Sequence, residues 1–289
     1  MKLARNLVAA AKPLVERFPR LALLYRLIRD SRFLTQKSVL TPFGFSFIGN
    51  VDMQKGVFEK EEAYLVNKML EEADIFINIG ANVGYYCCIA LSMDRPVVAF
   101  EPIGLNLRLL YRNIMENNWG ERIEIYPMAL GDKSQLIEIY GGGTGASLVK
   151  GWSGIPETYK TIVPMTTLDN VIGARLSGKR CFIIVDIEGA ESRMIQGAKT
   201  VLELDPKPVW MVEIASTAHQ PDGVKVNPDI LHTFDAFFDA GYDAFTATSP
   251  PRKVVRNDIE KIAGGGINVL NAHNFIFIEA RRFVDFESF

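Results

Sequence analysis

The stretch FINIGANVGYYCCIALS, residues 76–91, decides how the chain folds. Its apolar run stops at Asn78, crosses Gly80 and Gly84 with Asn82 between them, and resumes as a helical pattern. Small residues in a strand-to-helix turn leave the backbone open to close approach. The free N–H groups of the helix that follows favour an anionic partner. Outward from this turn, short apolar runs at 45–51, 74–79, 96–100, 123–126, 135–140, 161–165, 181–187, 208–214, 242–247 and 274–279 read as strands. Helical patterns at 59–72, 84–93, 104–117, 167–173, 190–203 and 228–240 alternate with them. Such alternation predicts an α/β fold, a mostly parallel sheet with helices on both faces. The last strand follows a long irregular stretch and is expected to pair antiparallel. The glycine-rich segment 141–145 is the one flexible-looking insertion.

A chain of 289 residues, 48% apolar and 23% charged, can bury a substantial core. Its net charge of -2 argues against general affinity for nucleic acid. The charge is uneven: residues 1–37 hold nine Lys or Arg against two acids, +7, which leaves -9 for the remainder. We therefore expect a basic amphipathic extension over 1–44 and one domain over 45–289. In the extension Leu3, Leu7, Ala10, Leu14, Phe18, Leu21, Tyr25 and Ile28 share a helical face, interrupted by Pro13 and Pro19. Such a segment suits an anionic membrane surface. Its apolar face equally suits packing on the protein's own core or on a partner subunit. The runs LVAAA and LALLYRLI are too short for a signal peptide or a membrane span. Cys87, Cys88 and Cys181 suggest neither a disulfide framework nor a zinc site. A cytoplasmic protein is expected, with peripheral contact at the inner membrane surface through residues 1–37.

Two cofactors suit the glycine turn: a nicotinamide dinucleotide and S-adenosylmethionine. The dinucleotide fingerprint requires G-x-G-x-x-G, whereas this chain has Asn82 and Tyr85 where glycines should stand. The observed turn leaves room for a nucleoside joined to an amino acid. About 20 residues on, VVAFEP (97–102) ends an apolar strand in Glu101, placed to accept bonds from ribose hydroxyls, with Pro102 after it. Both cofactors use that device.

NIGANVG, VVAFEPIGLNLRLLYRNIMEN, MALGD, TTLDNV and VDIEGAE occur in this order. With these five motifs the chain resembles the FkbM-type family of S-adenosylmethionine-dependent methyltransferases over roughly residues 45–282. The resemblance implies a Rossmann-like class I methyltransferase sheet. It implies that Gly80, Ala81, Asn82 and Gly84 line the methionine and ribose part of the cofactor, that Glu101 holds the ribose diol, and that Ala129 and Leu130 border the adenine, with Asp132 nearby. Two positions depart from the family pattern. Asn78 stands where an acid is usual and lacks the charge that would favour the cofactor's ammonium group. Ile184 and Val185 precede Asp186, where the family often has K-x-D.

Methyl transfer to a hydroxyl needs an aligned nucleophile and a positioned base. Asp186 follows a buried-type strand at its carboxyl end, where function collects in such sheets. Glu188 points the same way if the strand continues, Glu191 begins the next helix as a favourable first-turn charge, and Glu213 ends the next strand equivalently. His219 lies in the loop beyond and titrates in the range of a base. Asp186, Glu188 and Glu213 also offer oxygen ligands of the kind magnesium prefers, although simple hydrogen bonding is favoured over a metal. The 141–155 loop suits a lid, with Trp152 free to stack on a sugar ring. The expected reaction is O-methylation of a sugar, glycan or natural-product hydroxyl. The alternatives are a nicotinamide-dependent oxidoreductase and a cofactor-binding scaffold without catalysis.

Overall fold

The computed structural model describes residues 31, 35–265 and 269–279. The expected amphipathic extension therefore lies largely outside the described residues. Its described end is joined to the domain: Val39–Leu40 pairs antiparallel with Ser46–Phe47, so the boundary expected at 44/45 falls inside a hairpin.

The main sheet has eight strands: β1 Ile75–Ile79, β2 Val97–Phe100, β3 Ile123–Tyr126, β4 Cys181–Val185, β5 Val209–Glu213, β6 Tyr242–Thr246, β7 Lys253–Val254 and β8 Asn274–Glu279. Their order is β7-β6-β8-β5-β4-β1-β2-β3. The contacts β5–β4, β4–β1, β1–β2 and β2–β3 are parallel. β8 runs antiparallel between β5 and β6, as expected for the last strand, and β7 is antiparallel to β6. The chain moves outward from β1 through β2 to β3, then returns to place β4 on the other side of β1. That reversal creates a crevice at the carboxyl ends of β1 and β4.

Alternation along the strands divides the interior into two cores. Phe76, Val97, Ala99, Phe182 and Ile184 face one core together with Leu65, Val66 and Met69 of helix α1 (Lys60–Glu72), Cys87 and Cys88 of α2 (Tyr85–Ser92) and Leu110 and Ile114 of α3 (Gly104–Glu116). Ile77, Ile79, Val98, Phe100, Ile183 and Val185 face the other, with Met194 and Ile195 of α4 (Glu191–Gln196), Phe234 and Phe237 of α5 (Ile230–Asp239) and Ile259 and Ile262 of α6 (Arg256–Gly265). Covered on both faces, the central strands are apolar without alternation, as in IFINI, VVAF and CFIIV. All three cysteines are buried and free.

A smaller sheet lies between β3 and β4 in sequence. Its strands Ala129–Leu130 and Gln135–Tyr140 flank Lys160–Thr166, the first in parallel and the second antiparallel. Three expectations are corrected. The helix expected over 190–203 is two pieces, α4 and Lys199–Leu202, because Gly197 O accepts the Asp169 N–H instead of a helical donor. The strand expected over 181–187 stops at Val185. The irregular stretch before the last strand holds β7 and α6, whose buried apolar side chains among the described residues are Val254, Ile259 and Ile262, too sparse a pattern to read.

Candidate active site

β1 delivers the glycine turn to the crevice. The Gly80 and Ala81 N–H groups both donate to Phe100 O, at 3.0 and 2.9 Å, which ties the turn to the end of β2. Gly80 adopts φ +85°, and a Cβ on it would lie 1.8 Å from Asp186 O. Only glycine permits this contact, so the ends of β1 and β4 meet backbone to backbone. Gly84 caps α2 from the left-handed region, and Asn82 shares that conformation with φ 52°.

Glu101 stands at the end of β2, 3% exposed. Its Oε2 accepts the Asn82 N–H at 2.7 Å, and its Oε1 accepts the Ile103 N–H at 2.7 Å and Asn106 Nδ2 at 3.4 Å. Burial pushes this carboxyl up to about 7 against the pull of those donors, and the nearby charge of Asp186 adds to the rise. Glu101 thus faces a cleft of about 570 Å3, counting its open mouth. The cleft is lined by Gly80, Asn82, Pro102 and Ile103 from the ends of β1 and β2, by Ala129, Leu130, Ile139, Thr144 and Leu148 from the segment of the small sheet, and by Asp186 and Glu188 after β4.

This arrangement fits S-adenosylmethionine. An apolar wall suits a purine, a buried carboxylate suits a ribose diol, and Asn82 Oδ1 is buried with no partner among the described residues. A bound donor would satisfy that oxygen. Of the cofactor candidates, Gly80, Asn82, Glu101, Pro102, Ala129 and Leu130 line the cleft. Ala81 and Gly84 are buried within the turn and support it. Asn78 is in the core and donates to Cys87 Sγ at 3.4 Å. Asp132 also lies outside the lining, its carboxylate paired with Arg193 Nε.

The acids gather around the end of β4. Asp186 opens to solvent at the cleft, yet protein surrounds it closely. Burial and the adjoining Glu213 push its carboxyl well above the usual range. Glu213, at the end of β5, is also raised, chiefly by burial. Glu188 does not continue a strand beside Asp186. Its φ of 56° turns it aside, where Oε2 accepts Trp152 Nε1 at 2.7 Å. Glu191 is 2% exposed, accepts the Gly189 N–H at 2.9 Å and is pushed up to about 7 by burial.

Trp152 is 2% exposed and packed on Gly189, so it pins the 141–155 loop and is not free to stack on a sugar. His219 is exposed, lies outside the cleft lining, and holds Ser153 Oγ through Nδ1 with its ring 6.1 Å from that of Trp152. Among the described residues no cluster of three or more His, Cys, Asp or Glu has the arrangement of a metal site.

Two groups escape the sequence. Asn106 lines the cleft from the buried face of α3, which it shares with a second buried amide, Asn113; an amide at a core position of the helix was the available signal. Glu59 precedes α1 in the left-handed region and accepts the Tyr86 hydroxyl at 2.8 Å. Desolvation raises it to about 6, and Asp186 adds to the rise. In FEKEE it reads only as one more acid at a helix start.

Among solved structures, the chain is similar to an FkbM methyltransferase from Methylobacillus flagellatus KT, with 16% identity, a TM-score of 0.44, and coverage of 72% of this chain and 44% of that one. It is similar to an S-adenosylmethionine-dependent O-methyltransferase from Thermotoga maritima, at 13% identity and TM-score 0.38, covering 81% and 72%. A tRNA (uracil-54, C5)-methyltransferase from Pyrococcus abyssi, solved with S-adenosyl-L-homocysteine, is similar at 13% identity and TM-score 0.34, covering 61% and 35%. This chain therefore spans less than half the length of the first relative. No curated protein matches it. No described helix is long and apolar enough to cross a membrane. The model of the methyltransferase FkbM domain matches residues 78–244, more than half the chain and the whole of the cleft described above. The chain belongs to the FkbM methyltransferase family.

Proposed function

We propose that this chain moves a methyl group from S-adenosylmethionine to a hydroxyl oxygen, with a sugar, glycan or natural product as acceptor. The observation that carries the reading is Asp186, an exposed carboxyl that lines the same cleft as Glu101 and the Gly80 turn, with Glu213 close enough to raise it. A carboxylate raised above its ordinary range by burial and a neighbouring acid is a stronger proton acceptor. When bound, S-adenosylmethionine supplies an electrophilic methyl and leaves as S-adenosylhomocysteine.

The chain's own residues do the rest. Glu101 and the Gly80–Asn82 turn hold the nucleoside, and Ala129, Leu130 and Leu148 exclude water from one side of it. Asp186 takes the acceptor's hydroxyl proton as the oxygen–methyl bond forms, which avoids a cationic oxonium product. Glu188 keeps the loop shut through Trp152. Membership of a methyltransferase family disfavours the nicotinamide alternative.

The test is transfer of labelled methyl from S-adenosylmethionine to a panel of glycans and hydroxylated small molecules. Stable ether products support the reading, whereas label found only on nitrogen or carbon overturns it. Tight cofactor binding without transfer to any acceptor would favour the scaffold alternative. A second assay addresses residues 1–37. Co-sedimentation of the full chain with anionic vesicles, lost when the basic residues of that segment are neutralised, supports a membrane-surface acceptor; no co-sedimentation removes it.

A further inference from the structure

We infer that Asn106 is a positioning residue that couples the carboxylate of Glu101 to the glycine loop that lines the same cleft. The inference rests on the cofactor reading above, because it assigns Asn106 a task in holding that ligand. Asn106 lies in the first turn of α3 and is 3% exposed. A buried amide costs stability unless it is bonded. Its Nδ2 donates to Gly143 O at 3.0 Å and reaches Glu101 Oε1 at 3.4 Å. One nitrogen thus joins two parts of the lining, one from the end of β2 and the other from the small sheet.

The two bonds are unequal. A 3.0 Å contact is an ordinary hydrogen bond, while 3.4 Å is long for a donor to a carboxylate. Glu101 Oε1 is therefore the oxygen whose second donor is most easily displaced by a ligand hydroxyl. Asn106 then remains on Gly143, and the segment carrying Thr144, Ala146 and Leu148 stays registered against the nucleoside. The same loop is fixed a second time, where Ser147 Oγ donates to Glu188 O and Trp152 Nε1 to Glu188 Oε2. Two anchors on one loop give Asn106 a role that a helix-packing asparagine would not have.

Hydrogen exchange on the full chain, with and without S-adenosylhomocysteine, tests this in the wild type, Asn106→Ala and Asn106→Asp. Aspartate has the shape of asparagine but replaces the donor with an acceptor. In the wild type the ligand should slow exchange over 143–149 as well as around 78–84. Both variants should bind about tenfold more weakly, the loss expected of one donor near a charged group. At saturating ligand they should keep the slowing around 78–84 and lose it over 143–149. Slowing over 143–149 equal to wild type in either variant overturns the inference. So does a rise in exchange across the whole chain in both ligand-free variants, which would mark a structural role. A wild type that binds no ligand fails earlier, at the cofactor reading itself, and is told apart by that.

Discussion

Affinity for S-adenosylhomocysteine should fall as pH drops through 7, and Glu101 should be the cause. Burial holds its carboxyl at about 7, raised from 4.5. Ribose hydroxyls donate to the ionised form, so ligand and proton compete for one group. With a folded value near 7, about one-eleventh of the protein is ionised at pH 6 and about ten-elevenths at pH 8, so affinity should change about tenfold between them. The sign for stability runs the other way. Because the folded value lies above the unfolded one, the free protein is most stabilised by this group below about pH 4.5. It loses up to roughly 3 kcal/mol as pH rises through 7. The bound ligand's donors offset that loss. In Glu101→Gln the competition is gone: the pH slope should flatten, and affinity at pH 8 should drop about 10- to 100-fold. Calorimetric titration at about pH 6, 7 and 8, in buffers of differing ionisation enthalpy, reads both the affinity and the proton released. Asp186 is the other charge coupled to this group, so its variant serves as the control. Equal wild-type affinity at pH 6 and 8, with no proton released at pH 6, refutes the reasoning.

Asp186→Asn should lower turnover by about a hundredfold to ten-thousandfold, as for loss of a proton acceptor, while cofactor affinity changes by less than about threefold; turnover and calorimetry separate the two. Glu191→Gln should raise the melting temperature at pH 8 and change it little at pH 5, because an acid raised to about 7 by burial destabilises the fold only once ionised. Scanning calorimetry at the two pH values decides, and an equal shift at both would refute it. Gly80→Ala must push Asp186 O away and hold alanine at φ +85°, and should cost more than about 4 kcal/mol. A denaturation midpoint close to wild type would show that the strand ends can part.

What was legible in the sequence was local. The turn of Gly80–Gly84 and the acid of Glu101 announce themselves because a strand, a turn and a helix follow one another within a few residues. The doubly covered sheet was legible for the same reason, through unbroken runs such as CFIIV. What escaped depends on contacts distant in sequence. Trp152 reads as an exposed loop aromatic until Gly189, from the end of β4, is found beneath its ring. Asp186 and Glu188 read as two carboxylates on one strand face until the strand stops at Val185 and Glu188 turns into the left-handed region. Asn106 gains meaning only when Gly143, 37 residues on, closes over it. His219 drew notice as a titrating group, yet its position is set by Ser153 from another loop.

The small sheet between β3 and β4 begins and ends at one place. Ala129 and Leu130, where it departs, pair in parallel with Met165 and Thr166, where it returns. An excursion whose entry and exit lie side by side can lengthen, shorten or be exchanged without shifting the frame it leaves. The Gly80 turn and Glu101, after β1 and β2, belong to that frame, while the loop that shapes the rest of the cavity belongs to the excursion. A chimera carrying another relative's segment from 131 to 164 should keep its cofactor while changing what it methylates.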